Sequence, residues 1–174
     1  MKSKENIVFL GMMGSGKTSI GLLVSKKLKL KFFDIDKYIE NELDMKISKI
    51  FKEKGEKFFR NFEEEITLNI LKNEKIVVAL GGGAFLNKKI RDEILNNHLS
   101  FWLKWDNDIL IKRIKNSPQR PIAYNSTDEE LNKLIKSRSN IYCLAANKVN
   151  CNNLTKTQIV SKIIKIYENK KNNN

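Results

Sequence analysis

The sequence predicts an α/β fold in which helices pack around a parallel β-sheet. Short apolar runs alternate with amphipathic stretches along the 174 residues, and this alternation is typical of successive β/α units. A glycine-rich segment, GMMGSGKT at 11–18, stands between an apolar run at 7–10 and apolar residues at helical spacing after it. This order predicts a strand, a tight turn and a helix at the start of the domain.

Five strands are predicted, each a short apolar run bounded by polar residues or glycine. They span 7–10, 31–34, 76–80, 100–105 and, as the weakest pattern, 147–151. Thr127 with Glu130, and Thr155 with Gln158, have the form of a capping box and predict two helix starts. We predict one domain over 1–168 and a frayed polar tail over 169–174.

The composition predicts a globular, cytoplasmic protein. Of the residues, 41% are hydrophobic and 30% are charged, and no apolar run is long enough to span a bilayer. Residues 1–5 lead directly into the first strand, which leaves no room for a signal peptide. Cys143 and Cys151 make no metal-binding spacing with His98, the single histidine. We therefore expect reduced thiols, a surface or strand-edge position for His98, and chemistry without a histidine base.

The formal net charge of +13 raises the question of a nucleic-acid partner. Most of the excess is lysine spread along the predicted helices, in a chain that is rich in Lys, Asn and Ile throughout. An active site for anionic ligands would add to the positive charge. We therefore expect a monomer that binds a small molecule, and neither nucleic acid nor a membrane.

The segment at 11–18 matches the phosphate-binding pattern G-x-x-x-x-G-K-[ST] at Gly11, Gly16, Lys17 and Thr18. Glycines let the backbone curl so that successive N–H groups face one anion, and the following helix adds the positive end of its dipole. Lys17 is expected to reach the β- and γ-phosphates of a nucleotide, and the Thr18 hydroxyl to ligate Mg²⁺. The sequence thus predicts a nucleotide-binding site.

Two carboxylates, Asp34 and Asp36, follow the second predicted strand. Ligands of an open parallel sheet bind at the carboxyl ends of its strands. The pair is suited to hold Mg²⁺, directly or through water, and to accept a proton from an attacking hydroxyl. Asp36 is equally suited to cap the helix that begins near Lys37, and the sequence leaves both interpretations open.

Three glycines, 81–83, close the strand predicted at 76–80. They lie at the same sheet edge as the 11–18 segment and would let a substrate or a phosphate approach the backbone closely. Arg60 and Glu63 are three residues apart on a predicted helix, hence on one face. They form either a solvated ion pair or an arginine that binds a carboxylate ligand and is oriented by the glutamate.

Arg138 falls within the apolar stripe of the helix that is predicted after Thr127, at i+7 from Leu131 and i+4 from Leu134. A charge in that position needs a partner, and a bound anion would serve. Alternatively, the long side chain extends along the stripe until its charge reaches water.

Arg120 lies in the segment 115–126, which carries both prolines. The segment is either an exposed loop or a lid that covers a phosphoryl donor. Arg113, on the preceding helix, is either surface charge or a contact to a nucleotide base. Trp102 and Trp105 lie in or beside a strand and are expected to serve packing.

Taken in order, these motifs resemble the shikimate kinases. The similarity extends from about residue 7 to residue 167 and comprises GMMGSGKT, Asp34-Ile35-Asp36, Phe59-Arg60-Asn61-Phe62-Glu63, Gly81-Gly82-Gly83, Arg120-Pro121, and Arg138 with Tyr142 four residues later. The resemblance implies a three-layer α/β sandwich of the P-loop NTPase, nucleotide-kinase-like type, with a roughly five-stranded parallel sheet. It also implies transfer of the ATP γ-phosphoryl group to the 3-hydroxyl of shikimate, with Mg²⁺, in aromatic amino-acid (chorismate) biosynthesis.

The resemblance further implies a role for each motif residue. The ATP-binding set is Met13, Gly14, Ser15, Gly16, Lys17, Thr18, Ser19, Arg113 against adenine, and Arg120 on the transferring phosphoryl group. Thr18 and Asp34 would hold the metal. The shikimate-binding set, carried in part by helices over 35–62, is Asp36 on the hydroxyls and as base, Arg60 and Arg138 on the carboxylate, and Gly81, Gly82 and Gly83 through their backbone, with Glu63 orienting Arg60. Lys17, Asp36 and Arg120 would be catalytic.

Three other functions fit parts of the pattern. A gluconate or nucleoside kinase would share the phosphate loop, but it would not need two arginines for one carboxylate. A GTP-binding switch is contradicted by Asn150, which stands where the guanine motif N-K-x-D has its aspartate. A nucleic-acid-binding ATPase would use the net positive charge and would show steeply salt-dependent RNA binding. The two arginines favour shikimate as the acceptor.

Overall fold

One parallel sheet of five strands forms the centre of the molecule, in a computed structural model that describes residues 6–116 and 126–172. The strands are β1 (Ile7–Leu10), β2 (Lys31–Asp34), β3 (Ile76–Ala79), β4 (Leu99–Lys104) and β5 (Asn147–Asn150), in the spatial order β2-β3-β1-β4-β5. Every neighbouring pair is parallel, which confirms the predicted fold class. The predicted ranges 76–80, 100–105 and 147–151 differ from the observed strands by one residue at one or both ends.

Helices cover both faces of the sheet. They are α1 (Lys17–Leu28), α2 (Ile35–Leu43), α3 (Ile47–Leu71), α4 (Lys88–Asn97), α5 (Asn107–Lys115), α6 (Asp128–Tyr142) and α7 (Lys156–Asn172), with a 3₁₀ turn at Ala84–Leu86. The helix starts predicted at Thr127 and Thr155 are confirmed, since each threonine exchanges hydrogen bonds with the residue three positions on. Helix α7 continues to Asn172, so the predicted tail is helical over 169–172. Within 6–116 and 126–172, no helix combines the length and the apolar composition needed to cross a bilayer.

Alternate side chains of the central strand contribute to two separate cores. Ile7 and Phe9 of β1 belong to one cluster, which α1 and α7 cover, whereas Val8 and Leu10 belong to the other, which α2 to α6 cover. All four side chains are at most 1% exposed. A strand that is buried on both faces reads as a continuous apolar run, because none of its positions faces water. The two cores give the molecule its three layers.

The carboxyl ends of β1, β2 and β3 meet at one edge of the sheet. Phe9 pairs with Ala79, and Ala79 pairs with Asp34, so the segments that follow these strands begin side by side. Those segments are the loop before α1, the first turn of α2 and the glycines at 81–83. The register of the sheet therefore brings three of the predicted motifs together.

The predicted surface position of His98 is wrong. Its side chain is fully buried, and Nε2 lies 3.3 Å from Oε1 of Glu93. His98 ends α4, donates its amide hydrogen to the Ile94 carbonyl, and directly precedes β4, where Leu99 is already paired with Ile7 of the central strand. A residue held between a helix end and an interior strand has little access to water, and one polar residue at such a junction gives no sequence signal of its burial.

Helix α3 is interrupted at Gly55. This residue has φ 82° and ψ 164°, far from helical values, and it divides the helix into segments 47–54 and 56–71. That region of backbone space is essentially restricted to glycine. A Cβ at Gly55 would meet nothing within 4 Å, so the backbone conformation alone requires glycine. The break lets the second segment, which bears Arg60 and Glu63, take its own direction.

We expect Gly55→Ala to lower the free energy of unfolding by about 1–3 kcal/mol, because alanine is strained at this backbone conformation. In a regular helix the same change raises stability by roughly 0.5–1 kcal/mol, so the sign of the effect identifies its cause. Urea denaturation followed by circular dichroism measures it, with Lys52→Ala at an exposed site of α3 as the control. A stabilised Gly55→Ala variant would contradict the strained break.

Candidate active site

The loop between β1 and α1 curls its backbone around an open space. Gly14 and Gly16 have φ values of 81° and 90°, which favour glycine. Gly16 is the residue before α1, and no side chain caps the first turn of that helix, so its amide groups are available to an anion. Gly11 is closely packed, since a Cβ there would lie 3.1 Å from the carbonyl oxygen of Leu103. The glycines give the loop both its curvature and its contact with β4.

The loop forms one wall of a cavity of about 500 Å³. Its lining consists of Met13, Gly14, Gly16, Lys17, Thr18, Ser19, Leu22, Asp34, Asp36, Leu80 and Gly82. A concave site of this volume suits a small molecule. The structure therefore brings predicted residues from all three sheet-edge segments to a single cavity.

Lys17 lies across the loop. Its Nζ donates hydrogen bonds to the carbonyl oxygens of Gly11 and Met12, at 2.9 and 3.0 Å. The loop is closed further by the Ser15 amide, which donates to Met12, and by the Ser19 hydroxyl, which donates to the Gly16 carbonyl. These bonds hold a cation at the wall of the cavity, where an anionic group would enter.

Asp34 joins the phosphate loop to α2. Its Oδ2 accepts a hydrogen bond from the Thr18 hydroxyl at 2.5 Å, and its Oδ1 accepts one from the Lys37 amide at 3.2 Å. The second bond makes Asp34 the N-cap of α2. The interpretation of Asp36 as the cap of α2 is therefore wrong. Strand β2 ends at Asp34, and Asp34 itself caps the helix.

Asp36 is the second residue of α2 and lines the cavity. Its Oδ1 lies 2.5 Å from the point that a Cβ at Gly81 would occupy, so the carboxylate contacts the backbone of the triplet. Burial raises the pKa of Asp36 above its ordinary value, while the charges of Lys17 and Arg60 oppose the shift. A partly desolvated carboxylate between two cations can stay ionised and still accept a proton.

Arg60 and Glu63 form an ion pair in which the glutamate is buried and the arginine is half-buried, so the interpretation as a fully solvated pair is wrong. Nη1 of Arg60 lies 2.7 Å from Oε2 of Glu63, whose side chain is 2% exposed. Arg60 Nε also pairs with Glu56, and its guanidinium lies over the Phe59 ring. Burial raises the pKa of Glu63, and the charge of Arg60 opposes that shift. The second oxygen of Glu63, Oε1, is buried and has no hydrogen-bond partner, which leaves an acceptor for a ligand hydroxyl.

The three glycines make room for the charged groups around them. A Cβ at Gly81 would lie 2.6 Å from Oε1 of Glu63, and one at Gly83 would lie 2.6 Å from Nη1 of Arg60. A Cβ at either position would force the Glu63 or Arg60 side chain to shift, so glycine at 81 and 83 lets these charged groups lie against the backbone. The triplet thus accommodates side chains of α2 and α3 against its backbone, a role that the sequence did not predict.

Arg138 points into the site from α6. Its Nη1 lies 3.4 Å from the carbonyl oxygen of Gly82, while its Nε is buried without a hydrogen-bond partner. Tyr142, one turn later, donates its hydroxyl hydrogen to the same carbonyl at 2.5 Å, and burial raises its pKa to about 12. The Arg138 side chain is half-buried, and its Nη1 is directed to the Gly82 carbonyl, so the guanidinium faces the site from a partly exposed side chain. Tyr142 had no predicted role, although its spacing of four residues from Arg138 placed it on the same face.

Arg113 and Trp105 lie on the opposite side of the phosphate loop. The Arg113 guanidinium stacks 3.7 Å from the centre of the Trp105 ring, and its Nη1 lies 3.4 Å from the Gly14 carbonyl oxygen. The Trp105 indole N–H donates to the Ser15 carbonyl at 2.9 Å. Trp102 is buried against Tyr142, as predicted for a packing residue, whereas Trp105 also contacts the loop through a polar bond.

One predicted site residue, Arg120, lies outside the described residues. The same holds for 117–125 of the predicted lid segment 115–126, including Pro118 and Pro121. Of the other predicted residues, those that line the cavity are Met13, Gly14, Gly16, Lys17, Thr18, Ser19, Asp34, Asp36 and Gly82. Arg60, Glu63 and Arg138 contact the glycine triplet. The arrangement juxtaposes a phosphate-binding loop, a buried carboxylate and two guanidinium groups.

Known proteins share both the sequence and the architecture of this chain. The family model for shikimate kinase matches residues 13–168. A shikimate kinase from Bartonella quintana is 37% identical over 167 residues, which cover 95% of this chain and 80% of the relative. One from Bacillus subtilis is 39% identical over 169 residues, covering 92% and 88%.

Among solved structures, the shikimate kinase from Acinetobacter baumannii in complex with shikimate superposes with a TM-score of 0.89 at 25% identity. The similarity covers 98% of this chain and 96% of that one. The stretch matched by the family model includes residues 13–18 of the phosphate loop, the aspartate pair, the glycine triplet, Arg60 and Arg138. The chain belongs to the shikimate kinase family.

Proposed function

We propose that the protein transfers the γ-phosphoryl group of ATP to the 3-hydroxyl of shikimate. The observation that carries the proposal is the position of the Arg60 and Arg138 guanidinium groups, which contact the glycine triplet beside a cavity that the phosphate loop also lines. A carboxylate-bearing acceptor fits two such groups, because guanidinium binds carboxylate in a charge-assisted, planar geometry. The relative from A. baumannii is solved with shikimate bound, which supports the choice of acceptor.

The phosphate loop supplies the nucleotide half of the site. Backbone amides of Met13, Gly14, Ser15, Gly16, Lys17, Thr18 and Ser19 would surround the β- and γ-phosphates. Lys17, now bonded to Gly11 and Met12, would turn its Nζ to the γ-phosphoryl group as charge develops there. Arg113 would lie against the adenine. Arg120, in the predicted lid over 115–126, would stabilise the transferring group, a role that rests on its sequence motif alone.

Thr18 and Asp34 fit a Mg²⁺ site. Their oxygens are in direct contact at 2.5 Å and line the cavity, and Mg²⁺ prefers oxygen ligands, keeping waters and binding one or two protein groups together with phosphates. When bound, the ion would neutralise charge on the phosphate oxygens. We propose that Thr18 is a direct ligand and that Asp34 orients the ion or its waters.

Three charged groups would bind the acceptor. Arg60 and Arg138 would bind the shikimate carboxylate, with Glu63 orienting Arg60 through their 2.7 Å pair. The backbone of Gly81, Gly82 and Gly83 would contact the ring, where no side chain intervenes. The unpartnered Nε of Arg138 and Oε1 of Glu63 are the buried polar atoms that an acceptor carboxylate and an acceptor hydroxyl would satisfy.

Asp36 would receive the proton of the reacting hydroxyl. As the 3-hydroxyl oxygen forms its bond to the γ-phosphorus, the bond from that phosphorus to the β,γ-bridging oxygen breaks, ADP leaves, and the hydroxyl proton passes to a carboxylate oxygen of Asp36. The raised pKa of this carboxyl improves its match to the proton it accepts. Positioning and charge stabilisation supply most of the remaining acceleration.

The other acceptors are less well supported. A gluconate kinase is less well supported because the family model that matches this chain is that of shikimate kinase. A nucleic-acid-binding ATPase would use the net charge of +13, and RNA is therefore one of the additions in the test below. We also propose one kinase domain over 1–168 that acts as a monomer in the cytoplasm.

The test is ADP release from ATP by the purified protein, with Mg²⁺, in the presence of shikimate, gluconate, RNA or none of them. We expect release that depends on shikimate and remains at background with the other additions. If the protein binds ATP but shikimate does not stimulate ADP release, the assignment of shikimate as the acceptor is contradicted, while the assignment of the phosphate site is not. Omission of Mg²⁺, with EDTA, is expected to abolish the shikimate-dependent release.

Asp36→Asn is expected to fold normally and to turn over roughly 10²- to 10⁴-fold more slowly, the range for a lost general base. Asp34, and not Asp36, caps α2, so the urea midpoint should change little. In the parent protein kcat/KM should fall as the pH decreases, because only the ionised form of Asp36 accepts a proton. Burial raises the pKa of Asp36, so this fall should occur at a pH above the ordinary aspartate pKa of 3.8.

In Asp36→Asn this acid limb should flatten. Glu42→Gln, an exposed carboxyl-to-amide change on the same helix, is the control and should leave both the rate and the pH profile unchanged. A variant that is mainly destabilised, with near-normal turnover of the folded fraction, would contradict the proposed role.

A further inference from the structure

We propose that Trp105 is a positioning residue for the nucleotide, one that fixes both the phosphate loop and Arg113. The inference rests on the proposed function, since it assumes that the 11–18 loop binds the phosphates of ATP. Trp105 follows the last residue of β4 and packs against both hydrophobic cores. It is therefore anchored to the rigid centre of the molecule, and its two contacts with the nucleotide side extend from that anchor.

The first contact is polar and sets the loop. The Trp105 indole N–H donates to the Ser15 carbonyl oxygen at 2.9 Å. Ser15 lies between Gly14 and Gly16, which have positive φ values of 81° and 90°, and this is the stretch of the loop with the most conformational freedom. Carbonyl and N–H of one trans peptide unit point in opposite directions, so holding the Ser15 carbonyl toward Trp105 turns the Gly16 N–H away from Trp105, and Gly16 lines the cavity.

The second contact is a stack. The guanidinium of Arg113 lies 3.7 Å from the centre of the Trp105 ring, while Nη1 reaches the Gly14 carbonyl at 3.4 Å. Arg113 is otherwise an exposed side chain on α5, and such a chain samples many rotamers. The indole face holds the guanidinium flat beside the loop, so its opposite face is presented to a planar group that follows the phosphates, as a nucleotide base does.

The two contacts together define a nucleotide clamp, by which we mean Trp105, Arg113 and the 14–15 segment of the loop. The clamp contacts the loop at Gly14 and Ser15, whereas Arg60 and Arg138 contact the glycine triplet. It should therefore act on the nucleotide and leave the acceptor unaffected. A residue that merely filled the core would change the binding of both substrates or change stability alone.

The experiment measures the dissociation constants of ADP and of shikimate separately, by calorimetry, for the full chain. Trp105→Phe keeps an aromatic face and loses the N–H donor. We expect its ADP dissociation constant to rise roughly three- to ten-fold, the loss expected for one hydrogen bond, with the shikimate constant within about two-fold of the parent. Trp105→Leu also removes the stacking face and should raise the ADP constant further.

Arg113→Ala should fold as the parent does, because the Arg113 side chain is exposed and is not part of a hydrophobic core. We expect roughly a two- to five-fold weaker affinity for ADP. Trp105→Leu and Arg113→Ala should be non-additive when combined, because the leucine variant has already lost the stack. Lys112→Ala, which removes the neighbouring exposed charge on α5, is the matched control and should leave the ADP constant unchanged.

Tryptophan emission gives an independent readout. Trp105 is the one tryptophan left in Trp102→Phe, and we expect ADP, but not shikimate, to change its emission. An ADP constant within two-fold of the parent in both Trp105 variants would overturn the inference, as would equal weakening of ADP and shikimate, or full additivity with Arg113→Ala. Because ADP binding is measured without turnover, failure of the proposed acceptor would appear separately, as absent shikimate binding with the ADP results intact.

Discussion

Lys17→Ala is expected to lower kcat by roughly 10²- to 10³-fold or more, the loss that follows removal of a preorganised group that stabilises developing charge. Lys17 is the first residue of α1, and its Nζ is held over the loop by the carbonyl oxygens of Gly11 and Met12. An incoming phosphate offers this ammonium group a stronger, charged acceptor at the same wall of the cavity. No other lysine lines the described cavity.

The measurement is shikimate-dependent ADP release at saturating ATP. Lys27→Ala, an exposed lysine in the last turn of the same helix, is the control for a general loss of positive charge. The urea midpoint of Lys17→Ala is measured beside the rate, because Lys17 bonds to the carbonyls of the buried residues Gly11 and Met12; a change in the midpoint separates lost stability from lost catalysis. A variant that retains most of its kcat would break the interpretation of 11–18 as a catalytic phosphate loop.

The parts of the molecule that could be predicted from sequence are those in which one local rule decides the structure. Strand β1 is buried on both faces, so its four apolar residues identify it. The phosphate loop is recognised because its glycines and Lys17 are required at fixed spacing. Thr127 predicts the start of α6 because a capping box is a pattern of two residues three positions apart, here Thr127 and Glu130.

The parts that sequence did not reveal depend on contacts between distant segments. Whether Asp34 or Asp36 caps α2 depends on where β2 leaves the sheet, and either aspartate satisfies the local preference. The need for glycine at 83 comes from Arg60, which reaches it from another element at 2.6 Å from the missing Cβ. No residue next to Gly83 or Arg60 in the sequence indicates the contact between them.

Trp105 illustrates a third kind of residue. An aromatic side chain at the end of a strand is predicted to pack, and it does pack against both cores. Its polar atom, however, bonds to Ser15, 90 residues earlier. The periodicity of apolar residues predicts which face of a helix or strand is buried. It does not predict which acceptor a single N–H group contacts.

Arg138→Ala is expected to weaken shikimate binding and kcat/KM for shikimate by roughly 10- to 150-fold, the range for one hydrogen bond to a charged group. The KM for ATP should change little, because Arg138 contacts the carbonyl of Gly82 in the glycine triplet and meets the phosphate loop only at the Met12 sulfur, 3.8 Å away. Arg138 is a cleaner test than Arg60, whose removal would leave the buried Glu63 carboxylate without its ionic partner and so destabilise the fold. Among the described residues Arg138 makes no ion pair.

Arg138→Lys separates charge from geometry. It keeps the positive charge and loses the planar pair of donors, so it should recover only part of the affinity for a carboxylate. Lys136→Ala, exposed on the same helix, controls for the change in net charge and should behave as the parent does. Equal losses for ATP and shikimate in Arg138→Ala would show that the guanidinium supports the site as a whole, through Gly82, and would contradict a direct bond to the acceptor carboxylate.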